Sequence, residues 1–193
     1  MAAQALNLDQ FKSRLTRLLL IASAFAETVY RSSTPKYANE GDLLSGEGSS
    51  KNGGRWNPVG IAAVYASLTP QTAMEETLAH NRYYGVPPQD AMPRTFVAIT
   101  AELQAVIDLR SGELRQRLQV SLDRMLRLDW RKEIRDGRPP VTQVIGQAAA
   151  DVGLEGLIVP SAADSHGHNL VVFPANLQSG SELKVLNAER LKD

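Results

Sequence analysis

Apolar positions between residues 6 and 26 recur at intervals of three and four, placing Phe11, Leu15, Leu18 and Ala22 on one face and predicting an amphipathic helix. Residues 17–26 also have the form of the apolar core of a secretory signal, ending in Ala24-Phe25-Ala26 before Glu27. The long polar lead-in with Asp9 is unlike the short basic start of such a signal, so the helix is the reading adopted. The run is too short to span a membrane.

Further along, the period shortens. Residues 28–31 and 61–67 read as strands, the second apolar nearly throughout and so buried on both faces. Between them, residues 41–60 hold six of the fourteen glycines and read as a loop that bends sharply or approaches something closely. Thr69-Pro70 offers a hydroxyl cap and a proline at the first helical position, which predicts a helix from Pro70 to Tyr83. After Pro87, Pro88 and Pro93, strands are expected at 95–100 and 103–109. A helical stretch opened by Ser111-Gly112 follows, with Leu114, Leu118, Leu122 and Met125 on one face. Pro139-Pro140 restarts the chain as a helix through Val152 with Gly153 as its stop, and strands follow at 156–160 and 169–173. With no repeat or dividing linker, the expectation is one α+β domain.

Composition narrows the class without naming a function. The 193 residues include no cysteine, and 21 Lys+Arg balance 21 Asp+Glu. A chain of this length buries roughly 70% of its unfolded surface as one domain. Hydrophobic and charged fractions of 43% and 22% exclude a disordered chain, a fibre or a disulfide scaffold. Zero net charge argues against a general nucleic-acid binder. Residues 110–138 carry nine of the basic residues among five acidic ones, a mixture that reads as a solvated helical face.

Several chemistries fail on spacing. In the glycine loop, Lys51 does not follow the last glycine, and the third glycine of a dinucleotide fingerprint is missing. Three histidines, His80, His166 and His168, without cysteine give no metal set. Ser161 lacks a nucleophile elbow, and Asp164-Ser165-His166 are too crowded for a triad. What remains is Arg31, Arg55, Tyr65, Glu76, Ser161 and Asn169, each at or near the end of an element. Arg55, after two glycines, offers a guanidinium fork suited to phosphate, and equally reads as a surface ion pair. Tyr65 could stack on a heterocycle or fill the core. Glu76 has Thr72, Ala73, Ala79 and His80 as helical neighbours, leaving room for a ligand, and also reads as a solvated position. Glu75 points about 100° away on the helix, so the two carboxylates do not face each other as an acid and base pair.

The run Leu44-Ser45-Gly46-Glu47-Gly48, then Gly53-Gly54-Arg55-Trp56-Asn57-Pro58, Val64-Tyr65-Ala66-Ser67, Thr69-Pro70, Ala73-Met74-Glu75-Glu76 and His80, resembles the RES-domain toxins of bacterial toxin–antitoxin pairs. It continues through Gln143-Val144-Ile145-Gly146, Gly156-Leu157-Ile158-Val159-Pro160-Ser161-Ala162, Asn169-Leu170-Val171-Val172 and Pro174, covering roughly residues 29–175. The family is named for an arginine, a glutamate and a serine, which by this resemblance are Arg55, Glu76 and Ser161. Glu75 departs from the pattern, since an apolar residue is commoner there.

The resemblance implies an ADP-ribosyltransferase-like fold, α+β with a split antiparallel sheet and flanking helices. It divides the chain into an N-terminal helical extension, 1–27, and a RES domain, 28–193. It implies a cytoplasmic enzyme that consumes NAD+ as substrate without a metal. Glu76 would stabilise an oxocarbenium-like ribose and hold its hydroxyls. Arg31 and Arg55 would clamp the diphosphate or an attacking phosphate, Tyr65 would stack on nicotinamide, and Ser161 with Asn169 would hydrogen-bond the cofactor. The acceptor of ADP-ribose would be phosphate, water or a side chain of a target such as a metabolic enzyme. The implied partner is a helix-turn-helix antitoxin that blocks the NAD+ cleft and makes any DNA contact. A catalytically inactive RES-fold binding module is the alternative, and intact polar positions count against it.

Overall fold

Asn7 accepts hydrogen bonds from the backbone N–H groups of Asp9 and Gln10 and so starts α1 (Leu8–Leu18), whose Phe11, Leu15 and Leu18 are buried. In this computed structural model, which describes residues 7–191, the expected helix through residue 26 ends here. A 3₁₀ turn at Leu19–Ile21 leads into β1 (Ser23–Ser33), which pairs along its length with a later strand. That ladder pairs Ser23, Phe25 and Ala26, with a register shift at Ala24, and tertiary pairing overrides the helical period. Residues 17–26 are thereby divided among a helix end, a turn and a strand, with Leu18 and Phe25 in the core. The division drawn at residue 27 falls inside β1. Its residues 1–6 lie outside the described ones. No helix among the described residues is long and apolar enough to cross a membrane.

The glycine-rich segment is not plain loop. It contains α2 (Glu40–Ser45) and α3 (Glu47–Asn52), joined at Gly46, which takes a left-handed φ of 67°. Next come β2 (Val64–Ser67), α4 (Pro70–Tyr83) and β3 (Thr95–Asp108). The two strands expected at 95–100 and 103–109 are one, because Val97, Ile99, Ala101 and Leu103 alternate into the core without interruption. The helical stretch after Ser111 is α5 (Gly112–Leu118), α6 (Leu122–Leu126) and α7 (Trp130–Arg135), with the first break at Gln119, which has φ 57°. Then follow α8 (Val141–Asp151), β4 (Gly156–Pro160), β5 (His168–Val172) and β6 (Glu182–Val185). The last strand has only Val185 buried and offered no pattern to read.

The sheet order is β1-β2-β5-β4-β3-β6, and β1 also pairs with β3, so five strands close into a ring with β6 outside. The ring is split between β1 and β2, where closure rests on the single pair Tyr30 and Ser67. Every pairing is antiparallel but β3 with β4, which is parallel. Here the chain returns through the long α5–α8 crossover, as a parallel neighbour requires. Both faces of β4 and β5 are buried. Leu157, Val159 and Val171 pack with α1 and α8, and Ile158, Leu170 and Val172 pack inside the ring. Phe11, Leu15 and Leu18 of α1 share that first core with Ile145, Ala148 and Ala149 of α8.

The phase of β3 slips near residues 104–105, and Glu155 occupies the slip. Its carboxylate, inaccessible to solvent, accepts from the backbone N–H of Ala105 at 2.9 Å, of Gln178 at 2.7 Å and of Gln104. Burial opposes its ionisation, yet the Ser181 hydroxyl alongside and these three amides outweigh burial and hold its pKa below the ordinary value. A depressed carboxylate pKa stabilises the fold above the unfolded value and loses that contribution as pH falls through the folded one. Glu155→Gln, which turns an amide donor toward backbone donors, should lose roughly 2–3 kcal/mol at neutral pH. Urea titrations at about pH 7 and about pH 4 should also show a shallower acid loss than in the parent, given an ordinary glutamate pKa near 4.3. Equal acid slopes would refute this role for Glu155.

Candidate active site

Thr69 caps α4 by accepting from the Thr72 N–H at 3.1 Å, and Pro70 occupies the first turn, as the dipeptide predicts. The helix buries Ala73 and Thr77 and directs Glu76 toward the split in the ring. Ser161, just after β4, donates its hydroxyl to Glu76 Oε1 at 2.6 Å. Asn169 of β5 donates Nδ2 to the same oxygen at 2.6 Å, and Ser67 of β2 holds Asn169 by donating to its Oδ1 at 2.7 Å. Oε2 accepts no hydrogen bond among the described residues. One carboxylate oxygen is therefore fixed by the fold, and the other is free to accept further hydrogen bonds.

The Ser161 side chain is buried and already accepts from the N–H groups of Ala163, 3.1 Å, and Asp164, 3.0 Å. With its donor and acceptors engaged within the chain, it holds the Glu76 carboxylate in place. Its loop is tied to α4 by Thr72, which donates to Asp164 Oδ2 at 2.8 Å, a contact that nothing in the sequence pattern signalled.

Arg55 is launched from a tightly stapled turn. Asn57 is fully buried, donating Nδ2 to the carbonyls of Ser49 at 2.9 Å, Ile61 at 2.7 Å and Pro58 at 3.2 Å. Its Oδ1 accepts from the Tyr65 hydroxyl at 2.7 Å, which in turn accepts from the Trp56 N–H at 2.9 Å. A Cβ on Gly54 would lie 2.5 Å from that hydroxyl, so only glycine fits there. Gln143 of α8 donates to the Gly54 carbonyl at 2.7 Å and completes the turn. Arg55 itself donates to the Met125 carbonyl at 3.0 Å and forms no ion pair among the described residues. Asn57 and Gln143, present in the motifs that carry the resemblance but given no role there, are thus its structural members.

Two compartments meet at Glu76. One, of about 700 Å³, is lined by Arg55; the other, of about 360 Å³, by Arg31; both touch Tyr65, Glu76, His80 and Asn169. Burial lowers the Arg55 pKa, with Glu76 pulling it back up and Arg131 pushing it down. Arg31 is lowered by burial too; its Nη1 donates to the Tyr65 carbonyl at 3.1 Å, and its Nε is buried without a partner. Burial pushes the Tyr65 phenol up, so it stays protonated and serves as a donor to Asn57. Four of the six candidates, Arg55, Tyr65, Glu76 and Asn169, line the larger compartment, Arg31 lines the smaller, and Ser161 lies behind the carboxylate. Arg131, read from sequence as part of a solvated face, also lines the larger compartment. Such a cleft can hold an elongated anionic ligand with its reacting centre beside one carboxylate.

Comparison with known proteins agrees with this architecture. The RES domain profile matches residues 28–192. The Prs ADP-ribosylating toxin of Sphingobium sp. (strain YBL2) is 43% identical over 58 residues, 30% of this chain and 36% of that protein. NAD(+) phosphorylase MbcT of Mycobacterium tuberculosis (strain ATCC 25618 / H37Rv) is 28% identical over 134 residues, 68% of this chain and 66% of that protein. The chain spans about a third and just under two thirds of these two relatives. Among solved structures, the crystal structure of the M. tuberculosis MbcT–MbcA toxin–antitoxin complex superposes with a TM-score of 0.73, at 23% identity, over 96% of this chain and 98% of that one. That likeness shows a shared fold, and the profile match over most of the sequence shows that this chain belongs to the RES domain family.

Proposed function

We propose that the protein binds NAD+ across the two compartments, breaks the nicotinamide–ribose bond and transfers ADP-ribose to an acceptor. The carrying observation is the Glu76 carboxylate, pinned by Ser161 and Asn169 at the junction of compartments that each present an unpaired guanidinium. As the bond between ribose C1′ and the pyridinium nitrogen breaks, the electron pair returns to the nitrogen and nicotinamide leaves neutral. The leaving group takes no proton, so no general acid is needed. Positive charge develops on the ribose ring, and the fixed carboxylate stabilises it. Arg55 holds diphosphate, the face of Tyr65 lies against nicotinamide, and Asn169 and Ser161 keep Glu76 aimed. The acceptor oxygen then bonds to C1′ and loses its proton.

The relatives' names favour two acceptors, phosphate for an NAD(+) phosphorylase and a protein for an ADP-ribosylating toxin. The structural neighbour is solved as a toxin–antitoxin complex, which supports a role as a toxin with an antitoxin partner. The motif resemblance extends this to an antitoxin of helix-turn-helix type that covers the cleft. A protein acceptor would be a metabolic enzyme. NAD+ as substrate favours the cytoplasm, and a mature chain beginning near Glu27 would overturn that placement.

Incubation of purified protein with labelled NAD+, with and without phosphate and with cell extract, tests the reading. Nicotinamide release without labelled protein indicates degradation, phosphate dependence identifies phosphorolysis, and a labelled band indicates protein modification. No nicotinamide release under any of these conditions would sink the enzyme.

A further inference from the structure

Glu76, His80 and Tyr83 stand at intervals of four and three on α4, so they share one face, and seven residues of helix rise carry that face about 10 Å along the larger compartment. At its far end Arg131 of α7 lies over three rings, 4.3 Å from the Trp130 centroid, 4.4 Å from Tyr83 and 5.4 Å from Tyr84. Its Nη2 sits 3.2 Å from His80 Nδ1. Burial, with Arg131 and Arg94 nearby, lowers the His80 pKa, which keeps Nδ1 available as an acceptor.

Arg131 makes no ion pair among the described residues, and its Nε is buried without a partner. Arg55 in the same compartment is likewise unpaired and close enough to feel its charge. Glu76, at the opposite end, is the one carboxylate lining this compartment among the described residues. Two like charges held over a cleft, one with its plane fixed by aromatic rings, form a receptor for an anion attached to a flat group. Tyr84, packed against His80 and Tyr83, is 60% exposed beside them.

We propose that Arg131 is a substrate-binding residue for the adenosine half of the dinucleotide, holding the distal phosphate beside Arg55 while Tyr84 and Trp130 lie against the adenine. This rests on the NAD+ reading and deepens it, since it makes α7 the element that selects a dinucleotide over a mononucleotide.

Calorimetric titration of ADP-ribose and of nicotinamide mononucleotide into the full chain separates the two halves. Arg131→Ala should weaken ADP-ribose about tenfold or more and change nicotinamide mononucleotide by about twofold or less. Arg131→Lys, which keeps the charge and loses the planar fork, should fall between. Equal weakening of both ligands, or of neither, overturns the proposal. Should Arg131→Ala fail to fold, Tyr84→Ala carries the same prediction from an exposed side chain. A parent protein that binds neither ligand would remove the NAD+ reading and this proposal together, whereas a parent that cleaves NAD+ with an indifferent Arg131 removes this proposal alone.

Discussion

Glu76→Gln should reduce nicotinamide release by roughly a thousandfold or more, because in the proposed reaction it removes the one carboxylate that, among the described residues, lines the larger compartment, where positive charge would develop. Glutamine is the informative replacement. Its carbonyl oxygen can still accept from Ser161 and Asn169, so the side chain keeps its aim and loses only its charge. Stability should change by about 1 kcal/mol or less, or rise, since a carboxylate half-withdrawn from water in a cleft is kept for function more than for folding. A discontinuous nicotinamide assay with a thermal melt on the same preparation decides it. Turnover near that of the parent would refute the role given to Glu76. Glu76→Ala should lose as much activity, and additionally leaves the Ser161 hydroxyl and the Asn169 amide without their acceptor.

The second large effect lies away from the cleft. Gly146, within α8, packs directly beneath the Trp56 backbone, and an added Cβ would overlap the Trp56 carbonyl. No rotamer relieves a clash with main chain, so either the helix or the Arg55 turn must move. Gly146→Ala should therefore lose roughly 3–5 kcal/mol and displace the turn that Gln143 and Asn57 hold. Gly48→Ala is its control, since a Cβ there meets nothing within 4 Å and α3 gains a better helix former, worth about 0.5–1 kcal/mol. Urea unfolding of the two variants compares them directly. Equal stability would show that the α8 contact is not needed.

Local chemistry was legible in the sequence where one residue acts on its near neighbours. Thr69-Pro70 marked α4 to the residue, and the Gly53-Gly54-Arg55 turn announced a close approach that the Tyr65 hydroxyl supplies. The strands expected at 156–160 and 169–173 were readable from the apolar runs 157–159 and 170–173, which are buried on both faces; the second begins one residue earlier, at His168. What escaped were contacts between distant segments. Ser161 meets Glu76 across 85 residues, and period alone offers no reason for a hydroxyl after one strand to hold a carboxylate on a helix. Arg131 escaped for the opposite reason, since mixed charge at helical spacing looks the same whether one arginine faces water or curls over aromatic rings. The ring closure between β1 and β3 also needed the fold, and it converted residues 23–26 from helix to strand.

The seams of that ring are unequal. β1 is zipped to β3 along nearly its whole length, and β4 to β5 through five successive pairs, yet β1 meets β2 at one. Anything wedged between the compartments will spread the walls where the fewest ladder bonds resist, at Tyr30 and Ser67. Arg31, next to that seam, bridges it by donating Nη1 to the Tyr65 carbonyl of β2. Asn169, and Ser161 just beyond β4, belong to the opposite side, where β5 is paired to β2 through four residues and to β4 through five. The site therefore straddles the weakest seam of the ring, with one guanidinium spanning it and the groups that aim the carboxylate held by continuous ladders.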